Sequence, residues 1–155
     1  MTLSAGDPIP DLELPATGDE GSIRLRDLKG SALVLYFYPK DNTPGCTQEG
    51  QDFAAMESEF AAAGARIIGV SRDTVRTHEN FRKKYGFGFT LLSDAEEQAC
   101  QAFDVIREKN MYGKKVRGIE RSTFLFDADG KLATEWRKVK VDGHADAVLE
   151  AVKAL

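Results

Sequence analysis

An α/β fold, a central mixed β-sheet flanked by helices, is the architecture that this 155-residue sequence predicts. Three patterns point to it. Short, continuously apolar runs are bounded by glycine and proline, as in strands buried on both faces of a sheet. Helix-like stretches carrying start and stop signals separate those runs. Near the C-terminus two strand-like segments flank a tight turn before a last helix, which makes the sheet mixed rather than purely parallel. The length suits one domain over residues 1–155, and no repeat, linker or low-complexity segment interrupts it.

In chain order, the first thirty residues carry Pro8, Pro10, Pro15, Gly18, Gly21 and Gly30. They read as turns and short edge strands, with residues 22–25 alternating at strand period, a lid rather than a core. Residues 32–38 are apolar and aromatic throughout, the best candidate for the central strand. Thr43 and Pro44 then signal a helix start, threonine capping free amides and proline suiting the first turn. That helix runs toward Gly64, and Cys46, Phe53, Met56, Phe60 and Ala63 share one of its faces. Residues 66–71 form a second apolar strand, and residues 74–85 a second helix closed by Gly86. Residues 89–92 are a brief strand, Ser93 and Asp94 begin a third helix carrying Ala99, Cys100 and Phe103, and a glycine-punctuated loop follows. Residues 122–126 and 131–136 pair across the turn Asp127-Ala128-Asp129-Gly130, and a final helix covers about 143–155.

Composition narrows the function. Hydrophobic residues make up 42% and charged ones 30%, enough apolar content for a packed core. The formal net charge of −4 argues against a nucleic-acid partner, because the nearest basic cluster, Lys109, Lys114, Lys115 and Arg117, is short and reads as a solvated loop. The longest apolar run, residues 32–37, falls far below the ~20 residues of a membrane span. The opening residues from Met1 to Asp7 lack a charged-then-apolar signal pattern, so the expected location is the cytoplasm. Two cysteines make no disulfide framework, and in a reducing compartment each is expected to be buried, catalytic or metal-bound.

Cys46 stands where chemistry is expected. A cysteine in the first turn of a helix meets unpaired backbone N–H groups at the positive end of the macrodipole, which favours thiolate and can hold a developing oxyanion. Pro44 and Gly45 shape that turn, and it leaves the end of the central strand, where α/β sheets place ligand sites. The competing reading is a small hydrophobe on the core face of its helix. Spacing alone leaves both open.

The pattern Pro39, Thr43, Cys46 matches the active-site signature of the peroxiredoxins. The fuller segment Phe37-Tyr38-Pro39-Lys40-Asp41-Asn42-Thr43-Pro44-Gly45-Cys46-Thr47 resembles the peroxiredoxin Q subgroup, also called bacterioferritin comigratory protein. The likeness continues through residues 91–94, 109–114 and 118–125. It implies a thioredoxin-like fold and an antioxidant thiol peroxidase that reduces hydrogen peroxide and organic hydroperoxides. Cys46 would be the peroxidatic cysteine that becomes a sulfenic acid, recycled by thioredoxin or another external thiol. Thr43 would orient the peroxide, Arg121 would hold the thiolate and polarise the O–O bond, and Pro39 would shield the sulfur. Arginine's planar donor fork suits that task, although without the resemblance nothing distinguishes Arg121 from other surface cations. Glu49 matches a family position and also reads as a first-turn acid favoured by the helix dipole. The subgroup suggests a monomer.

Many subgroup members carry a resolving cysteine five residues after the peroxidatic one, where this chain has Gln51, or on the following helix, where it has none. Cys100 reads as a buried structural residue and a disfavoured resolver, because a disulfide needs the two Cα atoms within about 7 Å. The expectation is a one-cysteine cycle. No metal or cofactor is expected: His78 and His144 show no ligand spacing with either cysteine, Glu96 and Cys100 share only one helix face, and residues 127–130 are a turn, not a calcium loop. A thioredoxin-type disulfide oxidoreductase would need Cys-x-x-Cys, and residue 49 is Glu. A thioredoxin-like binding or holdase module is the non-enzymatic alternative.

Overall fold

In the computed structural model, residues 3–155 are described; Met1 and Thr2, part of the opening segment read for a targeting signal, lie outside them. The central sheet has five strands in the order β5-β4-β3-β8-β9. Its middle is β3 (Ala32–Phe37), flanked by β4 (Ala65–Ser71) and then β5 (Thr90–Ser93), all parallel. On the other side β8 (Ser122–Phe126) pairs antiparallel with β3, and β9 (Leu132–Trp136) with β8. The sheet is therefore mixed, as the hairpin near the C-terminus predicts.

Alternation along β3 divides the core. Leu33, Leu35 and Phe37 face one side, packed against α4 (Gln98–Ala102), Phe103 and the N-terminal segment. Val34, Tyr36 and Tyr38 face the other. There they meet α1 (Pro44–Ala55), α2 (Glu57–Ala62), α3 (Val75–Tyr85) and α5 (His144–Lys153). Each such fully buried large side chain contributes about 1.5–3 kcal/mol. Tyr36 stacks on Phe53 at 4.8 Å between ring centroids, which ties β3 to α1. Gly50 is the close-approach point on α1, where a Cβ would fall 2.5 Å from Cζ of Phe87.

Several expectations are corrected. The N-terminal segment is core, not lid: β1 (Glu13–Pro15) pairs with β2 (Ser22–Arg24), and Ile9, Leu14, Ile23 and Leu25 are buried. It covers a sheet face for which the five-residue α4 is too short. The long helix predicted toward Gly64 breaks at Met56 into α1 and α2, with Phe53 and Phe60 both still buried. The third helix starts at Gln98 rather than at Ser93-Asp94, so Glu96 precedes it and shares no helix face with Cys100. The predicted loop after it is a two-stranded ribbon, β6 (Ile106–Met111) against β7 (Lys114–Ile119), turning at Tyr112-Gly113 with both φ values positive. Lys109, Lys114, Lys115 and Arg117 are exposed on that ribbon.

The stop expected for α3 holds, and Thr74, read as its first residue, is instead its N-cap. Thr74 Oγ1 accepts from Thr77 N, and Gly86 closes the helix in the left-handed region at φ 70°. Among the described residues no helix is long and apolar enough to cross a membrane.

Candidate active site

The end of β3 positions the site. Register pairs Phe37 with Ser122 on β8, so Arg121 arrives beside Tyr38 although it is far away in sequence. Beyond Tyr38 the chain turns through residues 39–43 into α1, where Cys46 is the third helical residue. Its side chain is buried at 2% exposure, and the thiol is free. The guanidinium of Arg121 donates from Nη2 to Cys46 Sγ at 3.4 Å and from Nη1 to Glu49 Oε1 at 2.6 Å. One planar fork thus spans sulfur and carboxylate. Gly45 leaves room for it, since a Cβ there would sit 3.0 Å from Nη2.

Glu49 is not the first-turn acid that its position suggests. It is the sixth residue of α1, buried, with Oε2 lacking any hydrogen-bond partner. Burial pushes its carboxyl up to about 7, against the downward pull of Arg121. Tyr36, also buried, presents an unpartnered hydroxyl on the same side of the sheet. His144, at the start of α5, meets Thr123 Oγ1 at 2.8 Å, and burial together with Arg121 brings its pKa down to about 4. It is neutral at physiological pH.

Thr43 occupies the N-cap of α1, but its side chain does not cap. The hydroxyl donates to the Lys40 carbonyl at 2.9 Å, so the first-turn amides receive no side-chain oxygen from it. Pro39 and Arg121 line a cavity of about 520 Å³, walled by Ile119 and Val139 and rimmed by Lys109 and Lys138. Cys46, Glu49 and Arg121 therefore come together as a contact cluster, with Thr43 on the turn leading into it and Pro39 beside the guanidinium.

Cys100 lies on the opposite face of the sheet. It too is buried, and burial with the Asp94 carboxylate beside it holds its thiol far above the ordinary range.

Sequence reasoning missed a second group of residues. Asp41, Asp73 and His78 bring two carboxylates and an imidazole within 4.8 Å of one another behind the turn. All three are engaged in hydrogen bonds within the protein. Their separation along the chain hides them, and only the position of Asp41 inside the motif gives a signal.

Known proteins resemble the chain over nearly its whole length. The profile of the AhpC/TSA family matches residues 5–135. Peroxiredoxin Bcp of Xanthomonas campestris pv. campestris is 59% identical over 148 residues, 95% of this chain and 92% of that one. A structure of the Xanthomonas campestris bacterioferritin comigratory protein, described for its alkyl peroxide reduction activity, has a TM-score of 0.87 at 59% identity. It covers 93% of this chain and 91% of its own. A Xylella fastidiosa PrxQ crystal structure has a TM-score of 0.93 at 44% identity, covering 99% and 98%. With a family profile matching most of its length, and a sequence and fold likeness to these proteins spanning nearly all of it, the chain belongs to the AhpC/TSA family and is a peroxiredoxin, a thiol peroxidase.

Proposed function

We propose that Cys46 is the peroxidatic cysteine and that it reduces hydrogen peroxide and alkyl hydroperoxides in a one-cysteine cycle. The observation that carries this reading is the Arg121 fork, 3.4 Å from Cys46 Sγ and 2.6 Å from Glu49 Oε1. The thiolate sulfur attacks the terminal peroxide oxygen and the O–O bond breaks. The terminal OH stays on sulfur as a sulfenic acid, and the leaving alkoxide takes up a proton and departs as an alcohol, or as water from hydrogen peroxide. Arg121 donors lie where negative charge moves from sulfur to the leaving oxygen, the placement that electrostatic catalysis requires. Thr43 orients the peroxide, and Pro39, on the cavity wall, limits solvent at the sulfur. Alkyl hydroperoxides are included because the 59% identical Xanthomonas campestris protein reduces alkyl peroxide.

Restoration uses an external thiol, thioredoxin or another. It attacks the sulfenic sulfur, water leaves, and a second thiol releases Cys46 as the reductants become a disulfide. Cys100 does not resolve, because it sits across the sheet with its thiol held protonated. The enzyme works as a monomer in the reducing cytoplasm, where thiols of both kinds persist. The test is peroxide consumption with dithiothreitol as reductant. Cys46→Ser is expected to abolish it and Cys100→Ser to leave it intact; activity surviving Cys46→Ser overturns the reading.

A further inference from the structure

We infer that His78 and Asp73 are positioning residues of the peroxidase site: they fix the Lys40–Asp41 peptide unit so that Thr43 faces the hydroperoxide as a hydrogen-bond acceptor. This rests on the role proposed above for Thr43. That peptide unit is held at both ends. Its carbonyl, Lys40 O, accepts the Thr43 hydroxyl at 2.9 Å, and its amide, Asp41 N, donates to Asp73 Oδ2 at 2.9 Å. Asp73 is itself fixed, accepting from Ser71 Oγ at 2.6 Å while its own carbonyl accepts from Ser93 Oγ at 2.7 Å.

The Asp41 side chain is locked as firmly. It is buried, and its Oδ1 accepts from the Tyr38 hydroxyl at 2.6 Å while its Oδ2 lies 2.6 Å from His78 Nδ1. His78 is fully buried, and its Nε2 lies 2.9 Å from the Leu92 carbonyl. A carbonyl can only accept, so Nε2 carries a proton and donates it. Nδ1, at 2.6 Å, is within hydrogen-bond distance of the Asp41 carboxylate. His78 therefore straps the turn before α1 to the end of β5, with both of its ring nitrogens and both Asp41 carboxylate oxygens paired.

The consequence for chemistry follows from donor and acceptor counting. A hydroxyl has one hydrogen and two lone pairs. With its hydrogen committed to Lys40 O, Thr43 offers only lone pairs, and the group it can orient is the O–H of a hydroperoxide. A freely rotating hydroxyl would bind either end of the substrate. Displacing the reacting atoms by about 1 Å can cost on the order of a hundredfold in rate, so holding one peptide plane is worth a buried polar network.

The test separates positioning from fold. His78→Asn keeps a donor toward Asp41, whereas His78→Gln keeps one toward Leu92 and loses the Asp41 strap. Asp73→Ala removes the acceptor of the Asp41 amide from a half-buried position and serves if His78→Gln does not fold. Each is assayed for its rate constant with hydrogen peroxide and for alkylation of Cys46 by iodoacetamide, which needs the sulfur but not an oriented peroxide. Expected is a loss of about tenfold or more in the peroxide rate for His78→Gln and Asp73→Ala, with His78→Asn restoring most of it and alkylation within about twofold of wild type throughout. An unchanged peroxide rate in Asp73→Ala and in folded His78→Gln overturns the inference, as does a parallel fall in alkylation. Thr43→Val is the control: if it slows peroxide reduction while the other variants do not, only the strap fails. If it has no effect, the reading of Thr43 fails with it.

Discussion

Cys46 and Cys100 occupy the same formal position on opposite faces of one sheet: each is buried, and each is the third residue of its helix. Their neighbours differ in sign. At the start of α4 the Asp94 carboxylate accepts from Ala99 N at 3.1 Å and from Cys100 N at 2.7 Å, so the helix-start amides are already satisfied by an anion. At the start of α1 the Thr43 side chain is turned away, and a guanidinium approaches the sulfur instead. On the role proposed for Cys46, a helix N-terminus alone does not make a cysteine a nucleophile. What decides is whether the positive end is left for sulfur or consumed by a carboxylate.

The largest expected effect breaks this comparison from the Cys46 side. Arg121→Met should lower the peroxide rate constant by about 10²–10³, the usual cost of removing a donor aimed at developing charge. Arg121→Lys should recover part of it, because one ammonium cannot span Cys46 and Glu49 together. Stopped-flow peroxide kinetics measure both. On the other face, Asp94→Ala should destabilise the protein by about 1–2 kcal/mol in chemical denaturation through loss of its two amide contacts, with peroxide kinetics unchanged.

The smallest effect is pH-dependent and concerns Glu49. Its folded-state pKa of about 7 lies above the ordinary carboxyl value, so the protonated form favours the fold. That contribution is complete below the unfolded pKa and is lost as pH rises through about 7. Glu49→Gln should therefore gain stability relative to wild type between about pH 5 and 8, on the order of 1 kcal/mol, read from paired denaturation curves. His144, whose pKa is lowered to about 4, acts in the opposite direction as pH falls, and taking the difference between the two proteins removes it.

Around Cys46 local pattern left a reactive and a packing role open, but the strands of the central sheet, the start of α1 and the stop of α3 were legible in it, because apolar runs, Pro44 and Gly86 each carry a local physical cause. The β6-β7 ribbon was not. Most of its side chains are solvated, so it has no apolar face whose alternation could reveal it, and Tyr112 is an unusual residue for a turn with positive φ. For another reason, local pattern alone did not give Arg121 as a partner of Cys46, an assignment that came only from the family resemblance, and it missed the Asp41–His78 pair. Arg121 and Glu49 meet across 72 residues, where β8 runs beside β3 under α1, and Asp41 and His78 across 37, where α3 packs against the turn before α1. Thr43 shows the limit of a correct signal: it marks the helix start, yet its hydroxyl serves the preceding carbonyl.

The asymmetry between the two cysteines is tested most directly by exposing the folded protein to one equivalent of hydrogen peroxide with dimedone present, then mapping modified peptides by mass spectrometry without reduction. The prediction is a dimedone adduct on Cys46 and an unmodified Cys100 in most molecules. An intramolecular Cys46–Cys100 disulfide in most molecules, or adduct on Cys100, would contradict it.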